Sequence, residues 1–440
     1  MKICQPIAIL LSLLVLSSCL AVPAQVAAPS PSPLATENLP TETGIIPQEP
    51  EASLTPPPEA SPTTALTATD PPPTPTAEPA GPPGIILFIG DGMGAIHRQA
   101  ATWLVSGKGG LLVMDNMPVH GLAQTASASN QVTDSAASAT TMATGQLTYN
   151  GFVGVDPSNN PLSTILELAQ VKGWSVGLVT TVQLAHATPA AFASHFPDRS
   201  NMPEIARQIM AHDIQVLMGG GEDHFFSTAE DGCFPGKGLQ KAGNDLVAQA
   251  VEAGYTYVCT AEALQAIDPT QEDYLLGLFG GGEMKPPFNP PLSQMTQTAI
   301  QILSQDPDGF FLMVEAGQID WAAHSNEARQ TMQNTVSLDS AVAMAQIYAL
   351  GNPNTLIIVT ADHETGGMRL NQDGAGSYRQ DGPFSMPSGE SFWVDWSTTS
   401  HTADLIPVTA QGPYAEMLAG EYPLTQIFET MSTMLFMSVP

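Results

Sequence analysis

Five short apolar runs constrain this chain more than any other feature. They occupy residues 85–89, 175–179, 216–218, 310–314 and 356–359. Each is rich in Ile, Val, Leu and Phe and apolar on both faces, as strands in the middle of a sheet are. Ala-, Gln- and Leu-rich stretches of helical length separate them, at 162–171, 294–304 and 333–350. Strands alternating with helices predict a layered α/β fold around a largely parallel sheet. No internal repeat appears at the periods that mark solenoids or propellers.

Four of these runs end in polar, chemically specific segments. Residues 85–89 lead into Gly90-Asp91-Gly92-Met93-Gly94, and 175–179 into Thr180-Thr181 and then His186-Ala187-Thr188. Residues 310–314 lead into Glu315 and Asp320, and 356–359 into Thr360-Ala361-Asp362-His363-Glu364. In open α/β sheets the functional crevice lies beyond the carboxyl ends of the strands. Taken singly, each site has a bland reading. Asp91 between glycines suits a turn or a helix cap as well as a metal. Asp320 and His324, four apart, would share a helix face and hold one ion, or simply pair with each other. Adjacent residues on a strand point to opposite faces, so Asp362 and His363 can serve one ion only where the chain leaves the strand. Gly366-Gly367 come soon after. Ser135 opens an Ala- and Thr-rich stretch after Asp134. There it would meet free N–H groups and the positive dipole end, or be part of an ordinary cap.

The 440 residues carry 42 acids against 12 bases, a net charge of −30. Nucleic acid and anionic lipid surfaces attract basic proteins, so both are disfavoured as partners. Residues 7–16 are nearly all apolar. That is too short for a span of ~20 residues and suits a secretory signal. It ends in Leu16-Ser17-Ser18-Cys19, which is similar to the bacterial lipoprotein signal. The similarity implies a signal peptide at 1–18, lipidation of Cys19, export and a membrane tether; the alternative is an ordinary signal with an incidental cysteine. Residues 20–83 hold 18 of the 39 prolines and no aromatic residue, so 19–83 is expected to be an extended spacer without a core. The folded part is expected at 84–440, with 35 acids and 11 bases. Acids clustered inside it would need compensation, and bound divalent cations are one way to supply it. Cys233 and Cys259 are expected to pair in an oxidising compartment.

Taken in chain order, Asp91-Gly92-Met93-Gly94, Asp134-Ser135-Ala136-Ala137-Ser138, His186-Ala187-Thr188-Pro189-Ala190, Val314-Glu315-Ala316-Gly317-Gln318-Ile319-Asp320 with His324, Thr360-Ala361-Asp362-His363-Glu364 and His401-Thr402 resemble the alkaline phosphatase family. The resemblance implies a three-layer α/β/α sandwich and a phosphomonoesterase working through a phosphoserine. It makes Ser135 the nucleophile and Arg199 the phosphate-binding arginine. It implies two Zn2+, one held by Asp320, His324 and His401 and the other by Asp91, Asp362 and His363. It implies one Mg2+ on Asp91, Thr188 and Glu315. Residue chemistry agrees independently: imidazole with carboxylate suits zinc, and an all-oxygen set suits magnesium.

Two positions vary within that family. His186 stands where some members carry Asp beside the magnesium, which would admit a softer third ion. Trp321 stands where others carry Lys or His near the phosphate. The resemblance also leans towards a homodimer acting on small phosphomonoesters. The rivals are a phosphodiesterase or sulfatase of the same superfamily, and a surface lipoprotein that binds metal or phosphate without turnover. His97, His120, His195, His212 and His224 are read as surface or satisfied core residues.

Overall fold

A computed structural model describes residues 81–437 apart from 130, 377 and 378. The proposed signal peptide at 1–18, Cys19 and the spacer up to residue 80 lie outside the described residues. Residues 81–83 are irregular, and the first strand begins at Gly84.

Fifteen strands occur among the described residues. They are β1 (Gly84–Gly90), β2 (Val119–Gln124), β3 (Ser175–Gln183), β4 (Val216–Gly220), β5 (Thr256–Val258), β6 (Leu275–Leu278), β7 (Phe310–Ala316) and β8 (Thr355–Ala361). After them come β9 (Glu364–Thr365), β10 (Met368–Asn371), β11 (Gln380–Ser385), β12 (Ser391–Trp396), β13 (His401–Thr402), β14 (Ile406–Gln411) and β15 (Gly420–Pro423). Ten form one sheet in the order β15-β2-β14-β8-β1-β7-β3-β4-β6-β5. Strands β8 to β5 of that order all run parallel. β14 opposes both its neighbours, β8 and β2.

The five apolar runs are the five adjacent central strands β8-β1-β7-β3-β4. In β1, Ile85, Ile86, Leu87, Phe88 and Ile89 are all fully buried, as a strand covered on both faces must be. Each such side chain contributes about 1.5–3 kcal/mol of burial.

Eleven α-helices occur among the described residues: α1 (Ala95–Val105), α2 (Ser135–Thr144), α3 (Ile165–Val171), α4 (Ala187–Ala193), α5 (Met202–Met210), α6 (Leu246–Glu252), α7 (Ala261–Ala266), α8 (Leu292–Leu303), α9 (Gln318–His324), α10 (Ala328–Gly351) and α11 (Thr425–Phe436). α8 and α10 pack together and on the central strands, with α1 beside α10. α3 and α4 also pack on those strands, and α2 and α11 join them in a second helical layer. The three-layer α/β/α expectation therefore holds. β10, β12 and β11 form a small antiparallel sheet, and β13 pairs with β9. That last pairing sets His401 opposite Thr365, bringing two distant motifs to one place.

Cys233 and Cys259 are joined as a disulfide, with Cα atoms 6.4 Å apart. Among the described residues no helix is long and apolar enough to cross a membrane.

Candidate active site

The motif residues gather at the carboxyl ends of the central sheet: Glu315 is the penultimate residue of β7, most of the others lie just beyond a strand end or on a helix that follows, and His401 arrives through β13. β1 ends at Gly90, and Asp91 comes next in a tight turn. Gly92 has φ +73°, and a Cβ there would lie 2.9 Å from the Asp320 Cα. A glycine is required to let these two segments touch. Its N–H donates to Asp362 Oδ1 at 3.0 Å, so the turn after β1 also orients the carboxylate after β8.

β8 stops at Ala361, which explains how neighbours Asp362 and His363 serve one centre. The chain has left the strand before Asp362, and Gly366 and Gly367 both have positive φ where it turns. Asp362 Oδ1 takes the Gly92 and His363 N–H groups, leaving Oδ2 3.2 Å from His363 Nε2. His363 Nε2 is also 3.5 Å from Asp91 Oδ1.

α9 carries Asp320 and His324 on one face, with Asp320 Oδ1 3.3 Å from His324 Nε2. His401 Nε2 comes within 3.5 Å of the same oxygen and 3.1 Å of His324 Nε2. The other ring nitrogens explain the aim. His324 Nδ1 faces the Thr399 carbonyl at 2.6 Å, and His401 Nδ1 faces the Thr133 carbonyl at 2.9 Å. A carbonyl can only accept, so each Nδ1 carries a proton and each Nε2 is the nitrogen turned inward, where a proton shared with Asp320 or a metal ion can occupy it. Two inward-facing nitrogens 3.1 Å apart repel unless a proton or a metal ion lies between them.

Ser135 is the first residue of α2, and Asp134 caps that helix by accepting the Ala137 N–H at 3.0 Å. The Ser135 hydroxyl, 3.5 Å from Asp91 Oδ1 and 3.4 Å from His363 Nε2, faces the metal-type cluster. The same Asp134 accepts from Arg199 Nη1 at 3.0 Å, so one carboxylate aims both the helix and the guanidinium. Arg199 Nη2 reaches His186 Nε2 at 3.3 Å, and the Trp321 ring lies edge-on to His186.

The third cluster is Asp91, Glu315 and His186, whose ligand atoms come within 4.8 Å of one another. Thr188 lies in the first turn of α4, fully buried with its hydroxyl unpartnered. Thr180 donates to Glu315 Oε2 at 2.5 Å, while Glu315 Oε1, Asp91 Oδ2 and Asp362 Oδ2 lack hydrogen-bond partners.

Electrostatics follow from this crowding. Burial, with Asp362, Asp320 and Glu315 nearby, pushes the Asp91 carboxyl well above its usual range. Burial lifts Glu315 to about 7. Burial works the same way on Asp320, but the His324 hydrogen bond and the nearby imidazoles win and hold it well below the ordinary value. That hydrogen bond raises His324 to about 9. Burial, then Arg199, depresses His186 to about 3, keeping it neutral. Asp91, Glu315, Asp320 and Asp362 are all buried, and the first, second and fourth each keep an unpartnered oxygen. They form a cation site by charge and by donor chemistry.

The alkaline phosphatase family model matches residues 84–383. The chain belongs to the alkaline phosphatase family. It is 35% identical to alkaline phosphatase 4 of Bacillus subtilis over 66% of this chain and 63% of that protein, so it spans under two thirds of that relative's length. It is 34% identical to the alkaline phosphatase of Escherichia fergusonii over 80% of this chain and 85% of that one. Among solved structures, the alkaline phosphatase from the Antarctic bacterium TAB5 is 30% identical, with TM-score 0.68, covering 81% of this chain and 98% of that one. A His-to-Asp variant of that enzyme carries magnesium in its M3 site.

All the described residues singled out for this family in the sequence are brought together here. Among the remaining histidines, His97 is fully buried, with Nδ1 3.9 Å from Glu364, and burial depresses it to about 4. Sequence reasoning missed Asp134 as the partner of Arg199, and Thr180 and Thr365 as carboxylate-orienting hydroxyls. Thr365 donates to Asp320 Oδ1 at 2.6 Å. A lone Thr or a capping Asp carries no signal in sequence that separates these roles from routine ones.

Proposed function

We propose that the chain hydrolyses phosphomonoesters through a phosphoserine at Ser135 and releases inorganic phosphate. The observation that carries this reading is the Ser135 hydroxyl at a helix N-terminus, within 3.5 Å of both Asp91 and His363. Asp320, His324 and His401 would hold one zinc, and Asp91, Asp362 and His363 the other. Asp91, Glu315 and Thr188 would hold magnesium. The neighbouring His186 leaves room for a softer ion, and the magnesium seen in the TAB5 variant with Asp in place of a histidine is in keeping with that. Bound ions supply Lewis-acid stabilisation of charge on the entering and leaving oxygens.

The chain's own residues do the rest. Ser135 Oγ forms a bond to phosphorus as its proton leaves to solvent, and the phosphorus bond to the departing alcohol breaks in line. The alcohol oxygen keeps the electron pair and is protonated by solvent. Arg199, held by Asp134, presents a planar fork to two non-bridging phosphate oxygens. The free N–H groups at the start of α2 favour the same charge. Water then forms a bond to phosphorus, the Ser135 Oγ–phosphorus bond breaks, and the serine regains its proton.

The test is turnover of a chromogenic phosphomonoester and its diester analogue by the full chain, with zinc plus magnesium. Monoester turnover should exceed diester turnover by about 10²-fold or more, since a diester offers one fewer terminal oxygen to Arg199 and the cations. Dominant diester turnover would move the chain to the phosphodiesterase reading. We also infer export and a membrane tether through lipidated Cys19, and a homodimer. A Cys19→Ser chain that stays with the membrane fraction would contradict the tether.

A further inference from the structure

We propose that Glu167, His195 and His212 form a separate site for a divalent ion of the zinc class. None of the three belongs to the clusters around Ser135, and the inference does not depend on the reaction assigned there.

Glu167 sits in the first turn of α3, where Oε2 closes the capping box by accepting the Thr164 N–H at 2.9 Å. Oε1 is left facing two imidazoles. His195 Nε2 lies 2.8 Å from it, and His212 Nε2 lies 3.8 Å from it. One ligand atom from each residue falls within 4.8 Å of the others. His195 Nδ1 is 2.7 Å from the Gly154 carbonyl, so Nδ1 carries a proton and Nε2 is the nitrogen aimed at the cluster.

A proton on Nε2 can join His195 to the carboxylate, but it leaves His212 out, because 3.8 Å exceeds hydrogen-bond reach. A metal ion engages all three. Ligands about 2.0–2.2 Å from tetrahedral zinc stand roughly 3.3–3.5 Å apart, and the two separations to Oε1 bracket that value. Binding would displace the Nε2 proton to solvent and form two nitrogen bonds and one oxygen bond. Solvent would take the fourth position, since the three side chains are 18–23% exposed. Two imidazoles and one carboxylate select zinc, cobalt, nickel or copper over magnesium or calcium.

The ion would tie α3 to the segment after α4 and to the residue two past the end of α5. α4 has Thr188 in its first turn and His195 two residues beyond its last, about 10 Å along the axis. Residues 195–199 then lead directly to Arg199. The site fixes only the near end of that segment, and Arg199 keeps its own anchor on Asp134.

The experiment counts metal by mass spectrometry in full-length chain equilibrated with zinc and passed through a desalting column. Wild-type chain should hold one zinc equivalent more than His212→Ala, with monoester turnover in the variant within about twofold of wild type. Zinc titration should raise the wild-type Tm about 2–4 °C further than the variant's. His212→Gln, which keeps polarity and volume, repeats the comparison if the alanine variant folds poorly. Equal zinc content in wild type and the folded variant overturns the site. Because the readout is a difference, it holds whether or not the clusters around Ser135 fill.

Discussion

Stripping divalent ions from the folded chain should lower monoester turnover by about 10³-fold or more, and zinc plus magnesium should restore it. Several kcal/mol of transition-state stabilisation are at stake, and each 1.36 kcal/mol is about tenfold. Stability should fall in the same experiment. Asp91, Glu315, Asp320 and Asp362 are buried within one site, and three of their oxygens have no hydrogen-bond partner. Leaving buried charges uncompensated costs about 3–5 kcal/mol, or a Tm drop on the order of 10 °C.

The pH dependence of the metal-free chain gives a signed check. The folded Glu315 carboxyl titrates near 7 instead of its ordinary 4.5, because of burial. Between those values the folded state binds more protons than the unfolded one. Below about 6.5 the depressed His97 and His186 oppose this trend, since they take up protons only when the chain unfolds; above it the raised groups act alone, and stability of the metal-free chain should fall as pH rises through about 7. Asp91 is shifted the same way and adds to the trend. With ions bound the carboxylates are already compensated, and the slope should flatten. Thermal melts with and without chelator across this range measure it. A chelated chain as stable as the loaded one would contradict the cation-site reading.

Ser135→Ala should lower monoester turnover by on the order of 10⁴-fold or more, as loss of a covalent nucleophile does. Metal content should stay near normal, because Asp91 and His363 keep their other neighbours and the helix keeps its Asp134 cap. The split between turnover and metal content is the informative readout. A variant that loses both would make Ser135 a structural residue, and one that keeps turnover would remove it from the reaction.

Much of this was legible in the sequence, for physical reasons that differ by element. The central strands are covered on both faces, so residues 85–89 and 356–359 read as unbroken apolar runs. β2 alternates exposed and partly buried positions near an edge, and β14 opposes its neighbours, so neither produces such a run. Asp320 and His324 were legible because helical spacing puts i and i+4 on one face. His401 was not independently legible. It reaches the site only through the β13–β9 pairing, which no local pattern encodes. Asp134 was legible as a cap but not as the holder of Arg199, since 65 residues separate the pair. His195 and His212 looked routine because their common partner, Glu167, lies on a third element.

The measurement that bears most directly on the central claim is the mass of the chain after acid quench. Zinc-loaded protein mixed with excess phosphomonoester and quenched in acid during turnover should carry an added phosphoryl group. Fragmentation should place it on Ser135, and the Ser135→Ala chain should carry none. Rapid monoester turnover with no phosphoryl group on Ser135, or with the group on another residue, would contradict the account.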